Sequence, residues 1–150
     1  MRPIYLIAMA ILVIGAGIMA GCVEEVLDPD LDYEVLDVEK NSTSPNPSGV
    51  KAENGTHFLW VKIRLENHNE NSDLSVGPTF FTVDNNADVE KEGEFLANAT
   101  TMRRIDTLRV DPGSEKEFWI IFNVPNDTTM EYIRYVGSLD EPVEKELPDH

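Results

Sequence analysis

The chain has 150 residues, 28 acidic and 12 basic, with a formal net charge of −16. That length suits one domain and leaves little room for a separate catalytic one, while a 41% hydrophobic content supports a core and argues against wholesale disorder. The negative charge argues against nucleic acid as a partner, because that binding needs Lys and Arg to neutralise phosphates, and against electrostatic docking on an anionic membrane. The single cysteine rules out an intramolecular disulfide.

Pro3 to Val23 carries no charge, and Arg2 is the only charge before it. A basic start followed by an apolar run is the pattern of a secretory signal or a membrane anchor. The run ends in Met19-Ala20-Gly21-Cys22. That tetrapeptide resembles the lipobox of prokaryotic lipoproteins, although Met19 stands where Leu is commoner. The resemblance implies a signal peptide at residues 1–21, removed before Cys22, and lipidation of the Cys22 thiol. Cleavage there also removes Arg2 and leaves 129 residues at −17. Two alternatives remain beside it. One is an uncleaved single-pass helix, since the run has about the ~20 residues that span a bilayer; the other is plain secretion. All three put the body of the protein outside the cytoplasm.

Cys22 to Glu39 holds eight acids and no base, so residues 22–30 read as an acidic tether extended by self-repulsion. Leu31, Tyr33 and Val35 alternate with acids, then Leu36 and Val38 follow with shifted parity, which predicts a strand with a bulge. Asn41 to Gly55 is a loop rich in turn formers, with Pro45 and Pro47 blocking helix and ladder alike. His57 to Glu66 is the clearest strand: Leu59, Val61, Ile63 and Leu65 share one face, Phe58, Trp60, Lys62 and Arg64 the other. Short strands are predicted at Leu74–Val76 and Thr79–Val83, with an acidic loop at Asp84–Glu94 and a further strand at Ile105–Val110. Asp111-Pro-Gly-Ser114 is a turn, because Pro112 presets one φ and Gly113 accepts a positive one. Glu117–Val124 is a strand with Phe118, Ile120, Phe122 and Val124 inward. Met130–Val136 is the last, and residues 138–150 form an acidic tail.

No window shows convincing helical periodicity beyond the N-terminal run. About seven short strands separated by turns predict an all-β fold, an antiparallel immunoglobulin-like β-sandwich at residues 31–137, preceded by the signal or anchor helix. Three motifs occur in order: Phe58-Leu-Trp-Val-Lys-Ile-Arg-Leu-Glu-Asn67, Leu108-Arg-Val-Asp-Pro-Gly113, and a strand closing in Phe122-Asn-Val-Pro125. Together they resemble the telokin-like, immunoglobulin-fold domain of unknown function carried by many secreted and lipid-anchored bacterial and archaeal proteins. The resemblance implies a fold and a location. It brings no activity and no catalytic residues.

Candidate sites are few. No Gly-x-Ser-x-Gly, phosphate loop or zinc spacing occurs, and nothing marks a triad among His57, His68 and His150. No catalytic residue and no cofactor is assigned. Asn67-x-Asn69-x-Asn71-x-Asp73 has the alternating oxygens of a calcium loop, but Ser72 and Pro78 fail the sixth and twelfth positions. Asp84, Asn86 and Asp88, followed by Glu90, Glu92 and Glu94, could form an irregular metal site; a solvated loop is the weightier reading. Asn41, Asn54, Asn98 and Asn126 each open an Asn-x-Ser/Thr triplet suited to glycosylation, and all fall in predicted loops. With 11 Asn and 16 Ser or Thr, chance alone gives about one such triplet. Phe58, Trp60, Trp119 and Ile121 would form one apolar patch for a partner if their strands are adjacent. The weightier alternatives are that a strand or loop covers them, or that they are themselves core.

The sequence therefore predicts a non-enzymatic, lipid-anchored β-sandwich on the extracellular side of a cell membrane, binding or spacing other envelope components. It would touch the membrane through the N-terminal lipid or helix, engage an envelope protein, and bind no nucleic acid. The runner-up is a ligand- or cation-binding surface module using the acidic loops.

Overall fold

The computed structural model describes residues 31–47, 49–137 and 142–150. The apolar run, Cys22 and the tether at 22–30 lie outside the described residues. Ten strands form among the described residues: β1 Leu31–Asn41, β2 Thr56–Asn67, β3 Leu74–Val76, β4 Phe81–Asp84, β5 Glu90–Asn98, β6 Arg104–Ile105, β7 Leu108–Val110, β8 Glu115–Pro125, β9 Tyr132–Tyr135 and β10 Val143–Glu146. One 3₁₀ turn, Pro78–Phe80, precedes β4. The main sheet runs β1-β2-β8-β5-β4-β9-β10, with β6 on β5, and β3 pairs with β7 apart from it. Every named strand pair is antiparallel.

The sheet becomes two layers at β5. Glu90–Glu92 pairs with β4, whereas Gly93–Asn98 pairs with β8, and the register shifts between Gly93 and Phe95. A bulge bends its strand, so β5 carries the chain from one layer to the other. Gly93 is buried at the bend, under the Pro78 carbonyl. A Cβ there would sit under 3.0 Å from that oxygen, so the corner requires glycine.

The core follows the period-two pattern. Leu59, Val61 and Ile63 lie opposite Phe122, Ile120 and Phe118, and all six are fully buried. Each such side chain contributes about 1.5–3 kcal/mol of apolar transfer. Phe81 links the layers, meeting Tyr33 edge-to-face at 5.9 Å and Phe118 at 6.1 Å. Tyr33 reaches from β1 to the far edge of the sheet. Its hydroxyl donates to the Ile133 carbonyl at 2.9 Å and the Val143 carbonyl at 2.6 Å. Burial pushes that phenol's pKa up, consistent with a hydroxyl that stays protonated. Beside it Lys145 pairs with Asp32 at 3.0 Å.

The expected bulge in β1 is present, between Val35 and Asp37. Three expectations need correction. The acidic segment Asp84–Glu94 is a loop only at 85–89; Asp84 closes β4 and Glu90–Glu94 open β5. Its outward Glu90, Glu92 and Glu94 hid the strand, because its one buried position among them is a glycine. The tail at 138–150 is not all tail, since Val143–Glu146 adds a tenth strand to β9. The strand expected at 79–83 begins as a 3₁₀ turn, with Pro78 at its first position. The fold is the expected all-β sandwich, with ten strands among the described residues rather than about seven.

Candidate functional site

The strand registers define two poles. At one, β1 begins, with Leu31 opposite Asn67 and Glu66 opposite Glu115. At the other, β1 ends, with Asn41 opposite Phe58 and Thr56 opposite Pro125.

The first pole is tied shut by Asn67, the residue that closes β2. Its amide nitrogen donates to the carbonyls of Ser72 at 2.8 Å, Val110 at 3.1 Å and Asp111 at 3.3 Å. Its Oδ1 accepts from the Asn69 N–H at 3.0 Å, and the Gly113 N–H reaches the Asn69 carbonyl at 3.0 Å. Asn69 Oδ1 in turn accepts from Asn71 and Ser72. The calcium-like spacing of 67–73 is thus spent on turn geometry, and Asn67 locks it to the Pro112-Gly113 turn. Two of the three sequence motifs meet through this one buried side chain.

The second pole is open and acidic. A cavity of about 750 Å³ there is lined by Glu53, Glu90, Glu92, Glu94, Phe95 and Asn123, among others. Four carboxylates face one lysine, Lys91. The lining comes from four segments of chain, at 53–56, 79, 90–95 and 123–125, so no local motif announced the cavity.

Asp84, Asn86 and Asp88 flank a smaller recess beside it. Asp84 is 5% exposed, its Oδ1 accepts from the Asn86 N–H at 2.8 Å, and its Oδ2 faces Arg134 at 3.3 Å. Arg134 also reaches Glu90 at 3.8 Å and bonds Glu144. The Glu144 bond is the main reason its guanidinium pKa is raised, against burial, which lowers it. Asn85 Oδ1 gathers the N–H groups of Ala87, Asp88 and Val89. An arginine from β9 therefore stands where the sequence suggested a metal ion. Among the described residues, no three His, Cys, Asp or Glu side chains converge on a common point for a metal ion. Arg134 lies fifty positions beyond Asp84, and nothing local marked it.

Phe58, Trp60, Trp119 and Ile121 do come together, but as a second core rather than an open patch. They are 2%, 5%, 4% and 0% exposed. Trp60 and Trp119 meet edge-to-face at 5.9 Å, and Ala52, Phe95 and Met102 pack over the group. The loop after β1 is fastened across them: Trp60 Nε1 donates to the Thr43 carbonyl at 3.3 Å, and the Arg104 N–H to the Asn46 carbonyl at 2.7 Å.

The four glycosylation triplets fall differently. Asn54, Asn98 and Asn126 are exposed, while Asn41 is half-buried at the end of β1. Cys22 lies outside the described residues. His57 lies at the start of β2 and His68 just past its end, while the His150 ring bonds the Pro148 carbonyl and its own carbonyl accepts from Lys40 at 3.4 Å. The Glu117 carboxyl is held below its usual range, first by the Arg64 bond and then by Lys62. Among the described residues, no helix is long and apolar enough to cross a membrane.

The architecture defines an all-β sandwich domain whose turns at one pole are tied together by Asn67, with an acid-lined cavity at each pole. The chain belongs to the family described as a domain of unknown function (DUF4352), which matches residues 22–141. An uncharacterized β-sandwich protein from Clostridium difficile 630 is similar in structure, at a TM-score of 0.53 and 10% identity, covering 80% of this chain and 87% of that one. A candidate lipoprotein from Bacillus subtilis strain 168 is also similar, at a TM-score of 0.55 and 15% identity over 78% of this chain. The match spans 36% of that protein's length. At these identities the likeness concerns the fold alone. No curated protein matches.

Proposed function

We propose that this chain is a lipid-anchored, extracytoplasmic β-sandwich without enzymatic activity, which binds or spaces other components of a cell envelope. The observation that carries the reading is the lone cysteine, Cys22, placed directly after the apolar run and directly before an acidic tether. The fold is consistent with it. β1 begins at the pole of Asn67, so under this reading the pole of Glu53, Glu92 and Glu94 is the one farther from the anchor. The shifted titrations among the described residues run away from neutrality, so none of those groups is a poised general acid or base.

The test is fractionation of cells making the wild type and Cys22→Ala. Wild type should sediment with membranes and enter the detergent phase, while the variant should appear in the medium. A variant still held in the membrane would instead support an uncleaved helix. Wild type in the medium would support plain secretion.

A second reading, a surface module for a cationic ligand, draws on the acid-lined cavity. Calorimetric titration with millimolar calcium tests it, and absence of heat and of any melting shift would remove calcium as that ligand.

A further inference from the structure

The triplets at Asn41, Asn54, Asn98 and Asn126 all have Thr in third place. Turn chemistry explains asparagine in a loop, because its amide bonds neighbouring backbone and tolerates left-handed geometry. It does not explain a threonine two residues on in every case. The fold sorts the four. Asn41 is half-buried and still paired in the β1–β2 ladder, opposite Phe58. Asn98 ends β5, and its Oδ1 takes the N–H groups of Thr100 and Thr101, both at 2.9 Å.

Asn54 and Asn126 stand apart from these. Both are exposed, both lie outside strands, and the Asn126 N–H donates to the Gly55 carbonyl at 3.0 Å, which brings the two triplets together. Asn126 Oδ1 is 3.0 Å from His57 Nδ1. An amide oxygen only accepts, so the ring nitrogen donates, and the amide Nδ2 is the end turned from the ring. Glu53 and Pro125, the residues just before each asparagine, line the acidic cavity. The eleven residues of β1 separate this pole from the tether's junction by about 35 Å.

We propose that Asn54 and Asn126 carry N-linked glycans that flank the mouth of the acidic cavity. In each modification a bond forms between Nδ2 and the anomeric carbon of a sugar activated as a phosphate or diphosphate ester. The sugar–oxygen bond to that phosphate breaks, the phosphate leaves with the electron pair, and one amide proton is lost to it or to water. An envelope glycosyltransferase supplies the catalysis. The assignment rests on the extracytoplasmic placement proposed above.

The intact protein, purified from its own cells, is digested after glutamate and its peptides weighed. Cleavage after Glu39, Glu53, Glu66, Glu94, Glu115, Glu117 and Glu131 puts each triplet on its own peptide. Peptides 54–66 and 118–131 should carry sugar masses, and peptide 40–53 should carry none. Thr56→Ala and Thr128→Ala, which keep both asparagines, should each abolish the mass at one site. Bare peptides 54–66 and 118–131 overturn the proposal, as does equal occupancy of Asn41. The same digest reports the mass of the Cys22 peptide. Lipid on Cys22 with bare asparagines sinks the glycans and leaves the anchor. Sugar on both asparagines with an unmodified Cys22 does the reverse.

Discussion

Replacing Gly93 with alanine should destabilise the domain by driving a methyl group into backbone that cannot move aside. An added Cβ would lie 3.0 Å from Ile120 Cγ2 and closer still to the Pro78 carbonyl oxygen. Neither neighbour can yield cheaply. Pro78 is the first residue of the 3₁₀ turn, whose backbone is fixed by the Phe80 N–H to Gly77 carbonyl bond at 3.2 Å. Ile120 is fully buried in the central strand. Relief therefore needs the 3₁₀ turn to lift from β5 or the bend between layers to open. Overpacking of this kind costs about 1–3 kcal/mol. At about 4 °C per kcal/mol for a domain of this size, Tm should fall by about 4–12 °C. The assay is thermal unfolding followed by circular dichroism, with Gly77→Ala as control. A Cβ at Gly77 meets nothing within 4 Å, and its φ of −111° suits any residue. A fall of less than about 2 °C for Gly93→Ala, or an equal fall for the control, would refute the account of the corner.

Tyr33→Phe removes the hydroxyl that joins β1 to the Ile133 and Val143 carbonyls. It should cost about 1–3 kcal/mol and speed amide exchange in β10 more than in β2; unchanged exchange in β10 would show that the hydroxyl does not hold it. Trp119→Ala empties the second core and should cost about 3–5 kcal/mol, whereas an unchanged melt would restore the exposed-patch reading. Asp32 has a competition in its titration: burial raises its pKa, but the Lys145 bond and the Tyr33 N–H outweigh it, and the net is a lowering below 3.8. A depressed folded pKa means stability present above the unfolded value and lost as pH falls through the folded one. The pair is half-exposed, so Asp32→Asn should cost less than about 1 kcal/mol at pH 7, and the gap between wild type and variant should narrow as pH falls below 3.8. A gap that does not narrow on acidification would mean the loss is not electrostatic.

How much of this was legible in the sequence depended on whether neighbours in space were neighbours in the chain. β2 and β8 announced themselves because Leu59, Val61, Ile63 and Leu65 on one and Phe118, Ile120, Phe122 and Val124 on the other recur at every second position, and the structure pairs the two strands. β5 did not. Its inward positions are Gly93, Leu96 and Ala97, broken by a bulge, and its acids imitate a loop. β10 offers only Val143 as an apolar residue before Leu147, and its place is set by partners on β9 and β1. The cation reading of Asp84, Asn86 and Asp88 had the same weakness, since local spacing displayed the carboxylates and concealed Arg134. For the aromatic patch, strand periodicity showed that Trp60 and Trp119 share a second face. Only the path of the loop after β1 shows that this face is covered.

The contrast between the poles bears on what a partner could use. Asn67 satisfies three carbonyls and one amide at the closed pole, so the turns there are tied to one another and to the core. Both faces of the β2–β8 pair are buried as well, one in each core cluster. The far pole differs in its loops, which end in exposed asparagines. Acid-lined cavities open at both poles, with Glu53, Glu92 and Glu94 at one and Glu66, Glu70 and Glu115 at the other, while Arg134 and the Arg64–Glu117 pair neutralise acids along the strands. Under the proposed anchor at Cys22, repulsion between copies and attraction for a cationic partner would both act through these exposed carboxylates.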